Sequence, residues 1–234
     1  KWIIDRDVDV NGDGIVNEKD LQRTALLQNG DFRSEESVEI LKEADIVVSN
    51  PPFSLFKEYI AQLVEHEKKF LIIGNFNAVT YKEIFSLIKD NKLWIGVSPR
   101  SMDFILPDKS IKKVNACWFT NLENNKRSEE VILYKKYTED EYPKYDNYDV
   151  INVDKVKNIP VNYDGIVGVP ITFLCNYNPN QFEVVGLLAS AGYKKEIIGV
   201  DLIGTGDARG IMGGKVKYAR ILIKNLTIKD GSNI

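Results

Sequence analysis

Between residues 35 and 97 the apolar residues switch repeatedly between helical spacing and short unbroken runs, and that alternation leaves few architectures open. Residues 35–43 (EESVEILKE) set Val38, Ile40 and Leu41 among acids, and 44–50 (ADIVVSN) follow with a β-branched run that stops at a Pro-Pro pair. The pattern predicts a helix, then a buried strand, then a turn. From Ser54 to Glu67 the residues Leu55, Phe56, Tyr59, Ile60, Leu63 and Val64 recur at helical spacing, with Ser54 in position to cap the first turn. FLIIG (70–74) reads as a strand, Ile84, Phe85, Leu87 and Ile88 as one face of a further helix, and LWIGV (93–97) as another strand. Strands alternating with helices build a mainly parallel α/β sheet, because parallel neighbours need a crossover and the helix supplies it.

Beyond residue 97 the helical period fades. ACWFT (116–120), EVILYKK (130–136), GVPITFL (168–174), FEVVGLL (182–188) and KYARILIK (217–224) read as short strands between polar, Asn-, Gly- and Pro-containing stretches, so the C-terminal region is expected to be β-rich. The tyrosine-rich, acidic tract 137–163 has little periodicity and reads as a long ordered loop. At 234 residues, with 44% of them hydrophobic, the chain is long enough to bury a sizeable core. A net charge of −3 gives no sign of nucleic-acid binding by charge alone, although the basic surplus sits at the C-terminal end, with 8 basic against 5 acidic side chains in residues 181–234. Cys117 and Cys175 are the only cysteines, without metal-like spacing, which fits a reducing cytoplasm. No apolar run is long enough to span a membrane, so no membrane partner is expected. Nothing in the sequence fixes the oligomeric state.

The sharpest chemical signal is SNPPF, Ser49 to Phe53, where a strand ends and a helix follows. Ligands of open α/β sheets bind at the carboxyl ends of strands. The Asn50 side-chain oxygen is an acceptor for an exocyclic amine, and the Pro51 carbonyl, outside any sheet ladder, is a second. Two acceptors on one amino group favour tetrahedral character at nitrogen and expose its lone pair, while Phe53 offers a ring face to a planar base. Such a site requires the base to be flipped out of its duplex. The plainer reading of the same residues is a Pro-Pro chain break with Asn as a turn residue.

Upstream lies GDF, Gly30 to Phe32, just before a predicted helix. GDF, ADIVVSNPPF and FLIIGNFNAVTY together resemble the middle of an N6-adenine DNA methyltransferase. With ACWFTNLE (116–123), EEVILYKKYTEDEYPKYDNYDVINVDKV (129–156) and YDGIVGVPITFL (163–174), the chain resembles the EcoRI-type adenine-specific methyltransferase family. The resemblance implies a partial Rossmann-like methyltransferase core over 21–97, a β-rich target-recognition region over 98–234, and S-adenosylmethionine as methyl donor. It implies that Asp31 holds the donor's adenine amine with Phe32 beside that ring, that Phe56 lines the donor pocket, and that Asn50, Pro51, Pro52 and Phe53 receive a flipped adenine of double-stranded DNA. It also implies a methionine- and ribose-binding segment ahead of Asp31. No glycine-rich loop after a strand precedes Asp31, the chain opens on Lys1, and GTGDARG (204–210) lies too late to serve, so an incomplete donor pocket is expected.

Residues 9–20, DVNGDGIVNEKD, follow the register of a calcium loop, with Asp9, Asn11, Asp13, the Ile15 carbonyl, Asn17 and Asp20 at the ligand positions and Gly14 at the sharp turn. Asp replaces Glu at the last position, as in one half of a dockerin repeat. A structural calcium ion bound over 1–20 is the expectation, with a solvated acidic turn as the alternative. His66 is the only histidine, in a charged helix end, and excludes a histidine-based triad elsewhere. Lys194, Lys195, Arg209, Lys215, Lys217, Arg220 and Lys224 either meet phosphates or are scattered solvated charges. Two other functions stay open on the residues: methylation of a protein glutamine amide, which the same Asn-Pro-Pro-aromatic motif serves, and a calcium-dependent interaction module.

Overall fold

The structure, a computed structural model, describes residues 1–5, 7–96, 100–204 and 206–228. Val97, the last residue of the expected LWIGV strand, and Thr205 of GTGDARG lie outside the described residues. The chain forms two compact units, Lys1–Asp45 and Ile46–Ile234.

In the first unit β1 (Trp2–Ile3) pairs antiparallel with β2 (Gln22–Arg23), and α1 (Glu35–Glu43) follows. The helix occupies the residues predicted for it. Ser34 caps it by accepting from the Ser37 amide, and Glu35 and Glu36 in the first turn with Lys42 in the last complement the helix dipole.

The second unit opens with β3 (Ile46–Ser49), α2 (Phe56–Glu65), β4 (Lys69–Asn75) and α3 (Lys82–Lys89). It continues with β5 (Met102–Ile105), β6 (Ile111–Val114) and β7 (Ala116–Thr120). A three-stranded sheet runs β3-β4-β7, with β3 parallel to β4 and β4 antiparallel to β7. The expectation of a mainly parallel sheet is corrected here: α3 and the β5–β6 hairpin both lie between β4 and β7, and β7 comes back antiparallel to β4. β3 is an edge strand and not the buried one expected: Ile46 and Val48 are 53% and 64% exposed. Its β-branched run made a strand, but one face lacks cover in this unit. Among the described residues of LWIGV, Trp94 alone makes a bridge, to Thr120, although Leu93, Trp94 and Ile95 are buried. Ser54 lies inside a short 3-10 turn (Phe53–Leu55) rather than capping α2.

A second, five-stranded sheet holds β8 (Lys144–Tyr145), β9 (Tyr148–Asn152), β10 (Val167–Pro170), β11 (Phe182–Leu188) and β14 (Arg220–Asn225), in the order β11-β14-β10-β9-β8. α4 (Lys195–Ile198) and the hairpin β12 (Ile211–Met212)–β13 (Lys215–Val216) lie between β11 and β14 in sequence. The tract 137–163 is not a loop throughout. Its tyrosines supply the packing that periodicity hid: Tyr145 and Tyr148 are buried with Val150, Leu188, Ile198 and Leu222. Tyr148 donates to the Ala208 carbonyl and Tyr145 to the Asn152 side-chain oxygen, so each ring is buried with its polar end satisfied. Burial pushes the Tyr148 hydroxyl up to about 12, which keeps it a donor at neutral pH. EVILYKK forms no strand; Lys135 bridges Pro160 and the rest is irregular. The chain is thus a mixed α/β protein with a β-rich C-terminal part.

Candidate active site

Ser49 is the last residue of β3 in register with β4, opposite Ile72, and the chain leaves the ladder at Asn50. Pro51 and Pro52 have no amide hydrogen with which to continue it. The Pro52 carbonyl accepts from Leu55 N at 2.9 Å and starts the turn that leads into α2. The Pro51 carbonyl stands outside that bond. Pro51 itself is buried, Pro52 and Asn50 are exposed, and Phe53 is half-buried. No described residue hydrogen-bonds the Asn50 side chain, so its oxygen is available to a ligand.

A second wall faces these residues, and its origin is topological. Because β7 runs antiparallel to β4, with Ala116 opposite Asn75, its first residue lies at the carboxyl end of β4. The β5–β6 hairpin, which feeds into β7 through Asn115, therefore rises at the same end as the SNPPF turn. Between them is a cleft of about 440 Å³ lined by Asn50, Pro51, Pro52 and Phe53 on one side and Phe104, Leu106, Lys112 and Val114 on the other. That volume lies within the range of small-molecule sites. The hairpin residues are absent from the reading of the sequence. The alternation in MDFI and IKKV around a Pro-Asp-Lys-Ser turn was the signal that would have found them.

Phe56 is 1% exposed. Its ring lies on Gly74 of β4, where a Cβ would come within 2.4 Å of the ring, and 4.8 Å from the ring of Phe119 of β7. In this unit Phe56 is the floor that fixes α2 to the sheet behind the SNPPF turn.

Asp31 and Phe32 belong to the first unit. No strand leads directly into Asp31; it starts the turn before α1, its carbonyl accepting from Ser34 N at 2.9 Å. Its carboxylate accepts from the Arg33 side chain, Nε on Oδ1 at 2.9 Å and Nη2 on Oδ2 at 2.8 Å, and from the Arg33 amide. These bonds hold its pKa down to about 2. It is therefore an ionised acceptor at neutral pH. A carboxylate offers about four acceptor positions, so these bonds leave Oδ2 with capacity for one more donor. The Arg33 guanidinium also lies over the Phe32 ring, 5.3 Å from its centre.

The calcium expectation on Asp9, Asn11, Asp13, Ile15 and Asp20 is not supported. Among the described residues no group of three or more His, Cys, Asp or Glu side chains is placed to hold an ion. The loop spends its oxygens on its own backbone: Asp9 accepts from Gly12 N and Gly14 N, Asn11 from Asp13 N, and Asp13 from Ile15 N. The Ile15 carbonyl accepts from the Asn17 amide side chain. Asp20, only 1% exposed, accepts from Val10 N, Asn11 N and Asn17 N. The acids hold the register of the alternative, a turn, in which their partners are amide hydrogens. The structure therefore gives the calcium expectation no support.

The Asn17 amide, followed by those of Asn11 and Val10, holds the Asp20 carboxyl below its ordinary value against an opposing effect of burial. A depressed carboxyl stabilises the fold above its unfolded pKa of about 4 and loses that contribution as pH falls through the folded value. Asp20→Ala is expected to abolish hydrogen-exchange protection at the Val10, Asn11 and Asn17 amides at neutral pH. Acidification should remove the same protection from the parent. Unchanged exchange in the variant would show that another group orders the loop.

Most of the C-terminal cations are already engaged. Arg209 pairs with Asp207, Lys195 with Asp201, Lys224 with Asp164, and Lys217 and the buried Arg220 both with Asp154. Lys194 and Lys215 are exposed. Cys117, buried and with its pKa pushed up to about 12 by that burial, is not a nucleophile at neutral pH. Among the described residues no helix is long and apolar enough to cross a membrane.

The chain is thus a mixed α/β protein with an Asn-Pro-Pro-Phe turn open at a strand's carboxyl end. The family model for the adenine-specific methyltransferase EcoRI matches residues 1–226, and the chain belongs to that family. The match runs through residues 9–20, so the acidic loop is part of the family's own chain rather than an appended calcium module. Type II methyltransferase M.EcoRI of Escherichia coli is 45% identical over 235 residues, covering 92% of this chain and 68% of that protein. M.MgeORF184P of Mycoplasma genitalium is 40% identical and M.MpnI of Mycoplasma pneumoniae 37%, each over 88% of this chain and 72% of the relative. No solved structure matches the chain significantly.

Proposed function

We propose that the protein is a site-specific DNA methyltransferase of a type II restriction-modification system, acting on N6 of an adenine flipped from its duplex into the cleft between the SNPPF turn and the β5–β6 hairpin. The observation that carries this reading is the pair of open acceptors, the Asn50 side-chain oxygen and the Pro51 carbonyl, at the carboxyl end of β3 beside Phe53. Bound S-adenosylmethionine supplies a methyl group activated by its sulfonium. Asn50 and the Pro51 carbonyl accept the two hydrogens of the N6 amine, turn its lone pair out of conjugation with the ring, and so direct it at the methyl carbon. As the N–C bond formed, the donor's S–C bond would break and leave a neutral thioether, and the extra amine proton would pass to solvent. Phe53 stacks on the base from the turn side.

Asp31 and Phe32 are assigned to the donor's adenine, the ionised carboxylate taking the exocyclic amine. Phe56, which the family pattern also assigns to the donor site, contributes by holding the floor behind the turn. Residues 21–97 would then be part of a Rossmann-like core and 98–234 the region that reads DNA. Action in the cytoplasm suits a protein whose two cysteines are free thiols. Incubation with labelled S-adenosylmethionine and plasmid DNA, followed by digestion and nucleoside analysis, tests the reading. Label in N6-methyladenine supports it; label in protein glutamine, or in cytosine, overturns it.

Phe53→Ala is expected to weaken binding of a flipped base by about 1–3 kcal/mol, the usual worth of an aromatic ring stacked on a base. Titration with a duplex carrying an unpaired target adenine measures it. An affinity equal to the parent's would remove Phe53 from the site.

A further inference from the structure

The β5–β6 hairpin has a second face that the cleft does not use. Neighbouring residues of a β-ribbon point to opposite faces, and the register pairs Phe104 with Lys112 and Ile105 with Ile111. Phe104 and Lys112 line the cleft. Ile105 and Ile111 therefore form a cross-strand pair on the opposite face, where they are 78% and 70% exposed. Lys113 stands exposed on the same face as this pair, and Lys109 stands exposed at the tip. Asp103 sits opposite Lys113, and Asp108 is turned into the tip, accepting from the Ser110 amide and hydroxyl. Lys109 at the tip, with Lys112 on the cleft face, is left as a cation that a polyanion would meet.

An aliphatic pair edged with lysines, on a narrow ribbon, suits an occupant that offers apolar flat faces beside phosphates. A nucleic-acid duplex opened at one base pair has both. The ribbon is also continuous with the target cleft. If one face covers an extruded base, the other is turned toward the stack that the base has left. Extrusion sacrifices pairing and stacking, and wedge side chains that cover the exposed neighbours offset part of that loss.

Resting on the assignment of the target adenine to the cleft, the geometry points to the β5–β6 hairpin as the element that holds the duplex open. Ile105 and Ile111 pack into the vacancy left by the adenine, and Phe104 and Lys112 close on the extruded nucleotide from the other face. The isoleucines then matter when the target must be pulled from a paired duplex and cease to matter when it is already unpaired.

Ile105→Thr/Ile111→Thr keeps β-branched side chains at two exposed positions, and its melting temperature should equal the parent's. Two duplexes are compared with donor present, one fully paired and one with the target adenine opposite an abasic site. A third, with 2-aminopurine at the target position, reports extrusion by its fluorescence. The double variant is expected to methylate the paired duplex about tenfold or more slowly, and to lose most of the 2-aminopurine signal, while matching the parent on the abasic duplex. Equal rates for variant and parent on the paired duplex would overturn the wedge. Equal losses on both duplexes would overturn it too, since the pair would then serve DNA binding in general. Asn50→Ala, run alongside, separates the two readings: undiminished methylation by that variant overturns the target cleft itself, whatever the isoleucines do.

Discussion

Asn50→Ala is expected to lower the rate of methylation by about 10²–10³-fold, the usual consequence of deleting one preorganised polar group from the reacting centre. The N6 amine of adenine is a poor nucleophile because its lone pair is shared with the ring. Two acceptors at fixed positions are what localise that pair, and the alanine variant keeps only the Pro51 carbonyl. The Asn50 side chain is exposed and no described residue hydrogen-bonds it, so its loss removes no packing. The melting temperature should move by no more than about a degree or two, as for other exposed positions. Affinity for a duplex should be nearly unchanged, because the interaction is realised at the reacting nitrogen, and the effect should fall on kcat. Asn50→Asp retains an acceptor oxygen in nearly the same place and should recover part of the loss. Single-turnover methylation of a defined duplex by the three proteins checks this. A rate for Asn50→Ala close to the parent's, with the fold intact, would mean that the turn does not hold the target amine.

The elements that the sequence revealed most clearly are those whose physics is local. Ser34 with the acids after it marks α1, and the runs ACWFT and FEVVGLL coincide with β7 and β11 residue for residue. The SNPPF turn was legible in the same way, because the Pro-Pro pair after β3 is itself the feature that takes the chain out of the ladder. What escaped notice depends on long-range partners. Whether a β-branched run is central or at an edge is decided by which strands pair with it, so the exposure of Ile46 and Val48 could not be read from IVVS. The tyrosines of 137–163 look polar in a window of composition, yet Tyr145 and Tyr148 find their partners at Asn152 and Ala208 and become core. The acidic loop failed differently. Carboxylates at alternate positions suit a cation and a set of backbone amides equally well, and only the placement of the amides distinguishes them. The second wall of the cleft comes from the antiparallel return of β7 along β4, a pairing of residues far apart in sequence.

Gly186 in β11 is where a single methyl group should do most damage to the fold. The β11–β14 register shifts between Val184 and Gly186, and at that irregularity the strand meets the end of α4 backbone to backbone. A Cβ on Gly186 would lie 1.7 Å from the Ile198 carbonyl oxygen. On the other side of the contact, Gly199 has φ +79°, and its Cβ would lie 2.1 Å from the Val185 carbonyl oxygen. Neither neighbour is a flexible side chain that can swing away. Gly186→Ala must therefore displace β11 or α4, with Ile198 and Leu188 of the same core. A cost of about 2–3 kcal/mol is expected for such overpacking, which for a chain of this length lowers the melting temperature by roughly 4–12 °C. Gly186→Ala/Gly199→Ala should cost less than the sum of the single changes, because one displacement relieves both contacts. Gly192, whose Cβ would meet nothing within 4 Å, is the control. Gly192→Ala should be neutral or slightly stabilising through the unfolded chain. Thermal melts of the four variants and parent decide the matter: equal melting temperatures for Gly186→Ala and Gly192→Ala would show that β11 and α4 do not approach as closely as described.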